Sequence, residues 1–256
     1  MNNFKNLLKK DWEETKVLFR CMPTVPFAFL VSCLIAMNFL ANRGGSIGPV
    51  VFDCGIVVSW VAFLAGDMLV KRFGVKASFK IQAMALVLEL ACIFLMTIGT
   101  FLPAMYGATE EESAVFTAIF RAAPWPVFAG AGAYIIAALF NAIVSKNVLT
   151  RFKKRSSFGA YIVASWTSTV VGQFLDNFLF SLFFSIWQPW FGDGTFGDKM
   201  ISAVILAFVG MIIELIGQAI FSPIGYKIAT NWKKNKVGED YVKLVKEAQE
   251  VNTDLE

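Results

Sequence analysis

The stretch Ala160–Trp187, AYIVASWTSTVVGQFLDNFLFSLFFSIW, decides how the rest of the chain is read. It holds no Lys or Arg and a single acid, Asp176. Crossing a bilayer takes about 20 mostly apolar residues as a helix, with a range of roughly 17–25. This run exceeds that, so it is long enough to tilt or to reach past the hydrocarbon. It is not uniformly greasy. Ser165, Thr169, Gln173, Asp176 and Asn177 recur at spacings of three and four, which places them on one face of a helix. Polar groups at membrane depth are expensive and face the bundle interior or a cavity.

Five further segments pass the same length test: Val25–Ala41, Val50–Gly66, Ile81–Leu102, Trp125–Ser145 and Met200–Ile224. None alternates with period two, which argues against a β-barrel. The composition agrees, with 57% hydrophobic and 16% charged residues, where soluble domains carry about 25% charged. The fold expected is an all-α integral membrane protein of six transmembrane helices. Its expected parts are an amphipathic N-terminal segment (1–24), a six-helix domain (25–227) and a polar tail (228–256). Residues 1–22 carry Phe4, Leu7, Leu8 and Trp12 on one face, which suits either a helix lying in the interface or a solvated tail.

Orientation follows from the cations. Twenty of the 23 Lys and Arg fall in the N-terminal segment, in 71–80, in 146–155 and beyond residue 226; only Arg43, Arg121 and Lys199 fall between. The positive-inside rule then puts both termini in the cytoplasm of a multi-pass protein in the plasma (cell inner) membrane. Trp125, Trp187 and Trp190 fall at the outer boundary, Trp12 and Trp232 near the inner one. The net charge of +4 is accounted for by basic loops facing anionic lipid, so the partner expected is the bilayer and no nucleic acid. No cleavable leader is evident.

Several chemistries are excluded or disfavoured. The chain has no histidine, which removes a His-based metal site and a Ser-His-Asp triad. Cys21, Cys33, Cys54 and Cys92 lack metal-ligand spacing and read as small reduced hydrophobes. No cofactor, no metal and no enzyme activity are expected. No phosphate-binding Gly-rich loop is present, so ATP use would require a separate ATPase and scaffold. The small face Ala28, Ser32, Ala36 could dock such a partner or a second copy.

Candidate site residues are therefore the polar groups inside the spans. Asp176, with Gln173, Asn177, Thr169 and Ser165, forms the strongest group. Glu214 is followed by Gln218 and Ser222 on one face. These read as lining a substrate or ion cavity, or as pinning helices together. Glu89 stands among Leu86, Leu90 and Ile93. Asp67 precedes Lys71 by one turn and could pair with it. Asp53 falls at an outer helix end; Asn38 and Asn42 could line an outer mouth, and Asn141 and Ser145 an inner one. Residues 103–124 are expected to hold a short external helix. Arg121 there could meet an anionic substrate or pair with Glu110–Glu112. Residues 188–199 read as a turn-rich outer loop.

Two stretches resemble the queuosine-precursor transporter family, also called the vitamin uptake transporter family. One is Phe63-Leu64-Ala65-Gly66-Asp67-Met68-Leu69-Val70-Lys71-Arg72-Phe73-Gly74, similar to the family's Phe-Leu, small residue, Asp and aromatic-Gly. The other is Thr167-Ser168-Thr169-Val170-Val171-Gly172-Gln173-Phe174-Leu175-Asp176-Asn177, similar to its Ser-Thr, amide, Asp order. Length, helix number and Arg121 also agree, so the likeness covers most of 25–230. The resemblance implies a fold similar to the substrate-binding subunits of energy-coupling-factor transporters. It implies import of 7-deazaguanine compounds or queuine, with Asp67, Ser168, Thr169, Gln173 and Asp176 functional. Two positions depart from it: Glu214 stands where members often have Lys, and Ser145 where they often have an acid. The alternative is a substrate-binding subunit for a vitamin-like compound served by a separate ATP-driven module. Phe174, Phe178 and Trp166 are near enough in sequence to stack on a flat ligand.

Overall fold

The computed structural model describes residues 2–41, 43–47, 50–103, 109–122, 124–152, 157–187 and 195–253. In chain order the elements are α1 (Asn2–Cys21), α2 (Thr24–Leu40), β1 (Gly44–Ile47), β2 (Val50–Asp53), α3 (Ile56–Phe73), α4 (Val75–Gly99), α5 (Glu110–Ala122), α6 (Pro124–Arg151), α7 (Phe158–Trp187), α8 (Phe196–Lys234) and α9 (Glu239–Thr253). Asn42, the 188–194 turn and the side chains of Asp53, Trp125, Trp187 and Trp190 lie outside the described residues.

Six of the helices fall on the six apolar segments, with one shifted. The segment Val50–Gly66 does not begin as a helix. Its first residues pair antiparallel with Gly44–Ile47, in the register Gly44↔Asp53 and Ile47↔Val50. Gly48 and Pro49 separate two short runs that include β-branched residues, which is hairpin chemistry. The helix starts at Ile56 and runs to Phe73. Asp67 therefore lies well inside a helix.

The protein is an all-α membrane protein apart from that hairpin. Among the described residues, Val75–Gly99, Val127–Arg151 and Phe196–Lys234 are long and apolar enough to cross a membrane on length and composition alone. The pair Lys9–Cys21 and Thr24–Leu40, bent by 99°, would make a fourth if it were one span. α3 falls outside that set because it carries Asp67, Lys71 and Arg72, and the polar stripe of α7 dilutes its hydropathy.

α8 shows the packing logic. Its buried face is small or polar: Ala203, Ala207, Gly210, Glu214, Gln218, Ser222, Gly225, Ala229. Its opposite face exposes Ile201, Ile205, Phe208, Ile212, Ile216, Ile220 and Ile224. This inverts the soluble pattern, as expected where the outside is lipid and helices approach through small residues. α6 buries Ala133, Ala137, Ala138 and Ala142 in the same way. α7 packs along both α6 and α8, and α3 lies against α8. α8 has 39 residues, about 58 Å at ~1.5 Å per residue. It overshoots a hydrocarbon core of about 30 Å, well beyond the boundary at Ile224 expected from hydropathy.

The polar ends form one structure. α9 packs on α1. Arg72 Nε donates to Val237 O at 2.8 Å and its Nη2 reaches Glu239 at 3.0 Å. Lys76 pairs with Asp11 at 2.7 Å and Glu14 at 2.6 Å, and Lys80 with Asp11 at 2.9 Å. Trp232, expected at the interface, is instead buried beside Phe73, which also meets Tyr241, in the hydrophobic core. Trp12 is exposed. α5 occupies the expected external loop and extends further, from the first glutamate.

Candidate functional site

Asp67 is the centre of a buried polar knot. Its Oδ2 accepts from Ser165 Oγ at 2.6 Å and Gln218 Nε2 at 3.0 Å. Its Oδ1 accepts from Ser168 Oγ at 3.1 Å and Asn141 Nδ2 at 3.3 Å. Gln218 Nε2 also donates to Ser165 Oγ at 2.7 Å. Four donors from α6, α7 and α8 thus meet one carboxylate of α3, as many as its two oxygens readily accept. The expected pairing with Lys71 does not occur. Asp67 points into the bundle, while Lys71 lies over the rings of Tyr161 and Tyr226, 5.2 and 4.8 Å from their centroids. An i,i+4 spacing permits an ion pair but cannot compete with four donors in a dry interior.

A second polar group surrounds a cavity of about 30 Å³. Asn38, Ser59, Asp176, Asn177, Phe180 and Glu214 line it, from α2, α3, α7 and α8. Glu214 accepts hydrogen bonds from Ser59 Oγ and, at 2.7 Å, from Asn177 Nδ2. Asn38 Nδ2 donates to the buried Glu89. Two glycines make room for these amides. A Cβ at Gly130 would stand 2.5 Å from Asn38 Oδ1, and one at Gly210 2.6 Å from the Asn177 amide.

Gln173 stands one helical turn from Thr169 and one from Asn177. It is fully buried, and neither atom of its amide group has a hydrogen-bond partner among the described residues. Thr169 Oγ1, Gln218 Oε1, Asn141 Oδ1 and Glu89 Oε2 are likewise buried without one. Leaving such groups unpaired costs about 1–3 kcal/mol each, and native interiors leave few of them. Gln218 and Asn141 belong to the Asp67 knot, Glu89 bonds Asn38 at the cavity, and Thr169 and Gln173 lie between the two along α7. The Tyr161 hydroxyl, also without a partner among the described residues, sits one turn from Ser165.

The structure therefore places Asn38, Asp176, Asn177 and Glu214 around one cavity, and Asp67, Ser168 and Gln218 in the knot. Gln173 and Thr169 stand between them along α7, while Glu89 joins the cavity group through Asn38. Asn141, read as lining an inner mouth, is buried against Asp67. Arg121 bonds Thr100, at 3.2 Å from its hydroxyl, and covers Phe101; Glu112 instead caps its own helix through Thr109. Trp166 is exposed, while Phe174 lies against Phe178 and Phe208. Sequence reasoning missed Ser59 and the pair Tyr134–Gln82, bonded at 2.7 Å. A lone Ser or Gln in an apolar run carries no pattern. Only the spacing of Gln82 from Glu89, two turns on one helix face, offered a signal.

Residues 53–228 match the sequence profile of a family described as "Putative vitamin uptake transporter". No curated protein and no solved structure matches. The matched region runs from α3 into α8 and takes in the Asp67 knot, Gln173 and Glu214, while Asn38 on the α2 side of the cavity lies before it. The chain belongs to this family of vitamin uptake transporters, and it is a multi-pass membrane transporter for a small molecule.

Proposed function

We propose that the chain imports a small, flat, polar heterocycle across the plasma membrane through six helices, with a queuosine precursor of the 7-deazaguanine type as substrate. The observation that carries this reading is Gln173, fully buried with both amide atoms unbonded among the described residues. An amide in an apolar bundle is costly unless a ligand or water completes it. A guanine-like edge presents N1–H, an exocyclic NH₂ and a carbonyl side by side. A carboxylate such as Asp176 or Glu214 accepts the two donors, and the Gln173 NH₂ donates to the carbonyl. The cavity of about 30 Å³ is the size of one water's share of liquid volume, so a bicyclic ligand displaces side chains on entry. Asn177 and Phe180, half-buried on α7, line the cavity where it must widen.

Gln173→Met tests the assignment, because it keeps volume and removes the amide. The purified variant should melt at or above the wild-type temperature, since no described bond is lost and two desolvated polar atoms are removed. Its affinity for 7-cyano-7-deazaguanine, read as ligand-induced thermal stabilisation, should fall roughly tenfold to a hundredfold, about 1.4–2.8 kcal/mol. Stabilisation equal to wild type would remove Gln173 from the site. A wild type stabilised by purines or unrelated vitamins but by no deazaguanine would overturn the substrate class.

A further inference from the structure

Towards the polar ends of α1 and α9 the bundle opens into a second cavity, of about 830 Å³. Lys10 of α1, Lys71 of α3, Lys76 of α4, Lys146 of α6 and Lys233 of α8 all line it, with Glu14 as the one acidic residue among the described lining. That carboxylate is already engaged by Lys76 at 2.6 Å. No described carboxylate lies within ion-pair distance of Lys10, Lys71, Lys146 or Lys233. Lys233 is close enough to Lys71 to repel it. Lys71 is meanwhile held over two tyrosine faces, a geometry that fixes the ammonium at the wall of the cavity.

The positive-inside rule calls for lysines on this side of the membrane, but it does not call for five helices to aim them at one concavity. Like charges gathered around a recess of low dielectric raise its potential and concentrate anions there. Lysine is a point-charge donor suited to phosphate oxygens. The volume is ample for a phosphate or diphosphate group and the atoms that carry it. We propose that this cavity is a binding site for a phosphate-bearing anion, held by Lys71, Lys146 and Lys233 with Lys10 at the rim. The shared chemistry is a phosphate group, whether on an anionic lipid of the inner leaflet or on a soluble phosphorylated molecule.

The test uses the full chain in a neutral detergent at constant ionic strength. Inorganic pyrophosphate, and separately phosphatidylglycerol in mixed micelles, are titrated while the melting temperature is followed; phosphatidylcholine is the neutral control. Saturable stabilisation by at least one of the two anions is expected. Lys71→Gln/Lys233→Gln should weaken it at least tenfold. Lys243→Gln/Lys246→Gln, which removes the same charge from exposed positions of α9 that do not line the cavity, should leave it within twofold. If the first pair does not fold, the exposed Lys146→Gln is used and should weaken the response severalfold. Pyrophosphate alone acting identifies a soluble phosphate, phosphatidylglycerol alone a headgroup, and mutual competition one pocket that accepts both. A response to neither anion, or one that both double variants lose equally, overturns the proposal.

Discussion

Asp67 and Asp176 belong to different surroundings, and their removal should read out differently. Asp67 is buried and accepts from four donors. In Asp67→Asn, one acceptor becomes an NH₂ facing those donors. The loss of charged acceptance together with a donor left unpaired should cost about 2–4 kcal/mol, seen as a lower melting temperature without ligand. Asp176 is half-buried at the cavity wall. Asp176→Asn should leave that temperature within a few degrees while weakening deazaguanine binding roughly tenfold to a hundredfold. Equal melting of the two variants would show that the distinction drawn from their burial is wrong. The contrast also shows what a sequence can carry at this scale. The α7 stripe and the Glu214–Gln218–Ser222 face were readable from spacing alone, because helical periodicity is local. The partners of Asp67 were not. They come from 74 to 151 residues away in the chain, and the only local cue, Lys71, pointed to an ion pair that the fold does not make.

At the scale of elements, α7 and α8 separate glycines that leave room for a side chain from glycines that do not. Gly210 faces Asn177, so Gly210→Ala pushes that amide away from Glu214. Gly159, on α7, meets nothing within 4 Å. Gly159→Ala should be neutral or stabilising, by up to about 1 kcal/mol from helix propensity. Gly210→Ala should lose ligand-induced stabilisation, and a binding isotherm unchanged from wild type would show that Asn177 is not needed. The clasp of α1 and α9 has its own signature. Hydrogen bonds from Lys76 and Lys80 hold Asp11 below its ordinary 3.8, and Arg72 holds Glu239 below its ordinary 4.5. Carboxylates lowered in the folded state contribute above those values and lose the contribution as pH falls through and below them. Amide exchange in α9, corrected for intrinsic rates, should therefore rise on acidification below pH 4.5. Flat protection across that window would mean the clasp rests on Trp232 and Tyr241 packing alone. Gly238 supports the clasp: its φ is +68, and a Cβ there would enter the Phe73 ring.

At the scale of the whole molecule, the contacts between ends constrain the number of crossings. α1, the α3–α4 corner and α9 touch one another through Lys76, Arg72, Asp11 and Glu239, so they share one face. The far end of α4 belongs to another group. Thr97 Oγ1 donates to Phe120 O at 3.2 Å, Phe39 packs edge-on against Phe120, and Arg121 reaches Thr100. α4 has 25 residues, so these two faces are about 37 Å apart, more than a hydrocarbon core of about 30 Å. A chain that begins and ends on one face crosses an even number of times. We propose six crossings, made as the pairs α2–α3, α4–α6 and α7–α8. Hydropathy alone yields fewer, because α3 and α7 carry the polar groups that a transporter must keep inside its bundle. The arrangement is testable in a cysteine-free background labelled with a membrane-impermeant maleimide on intact cells. Glu112→Cys, in the first turn of α5, should label from outside. Lys236→Cys, in the turn before α9, should label only after permeabilisation. If both cysteines label before permeabilisation, the two faces are not on opposite sides of the membrane and the even count fails. If the pattern is reversed, the count survives but the basic face is external, and the orientation drawn from twenty cations against three is overturned.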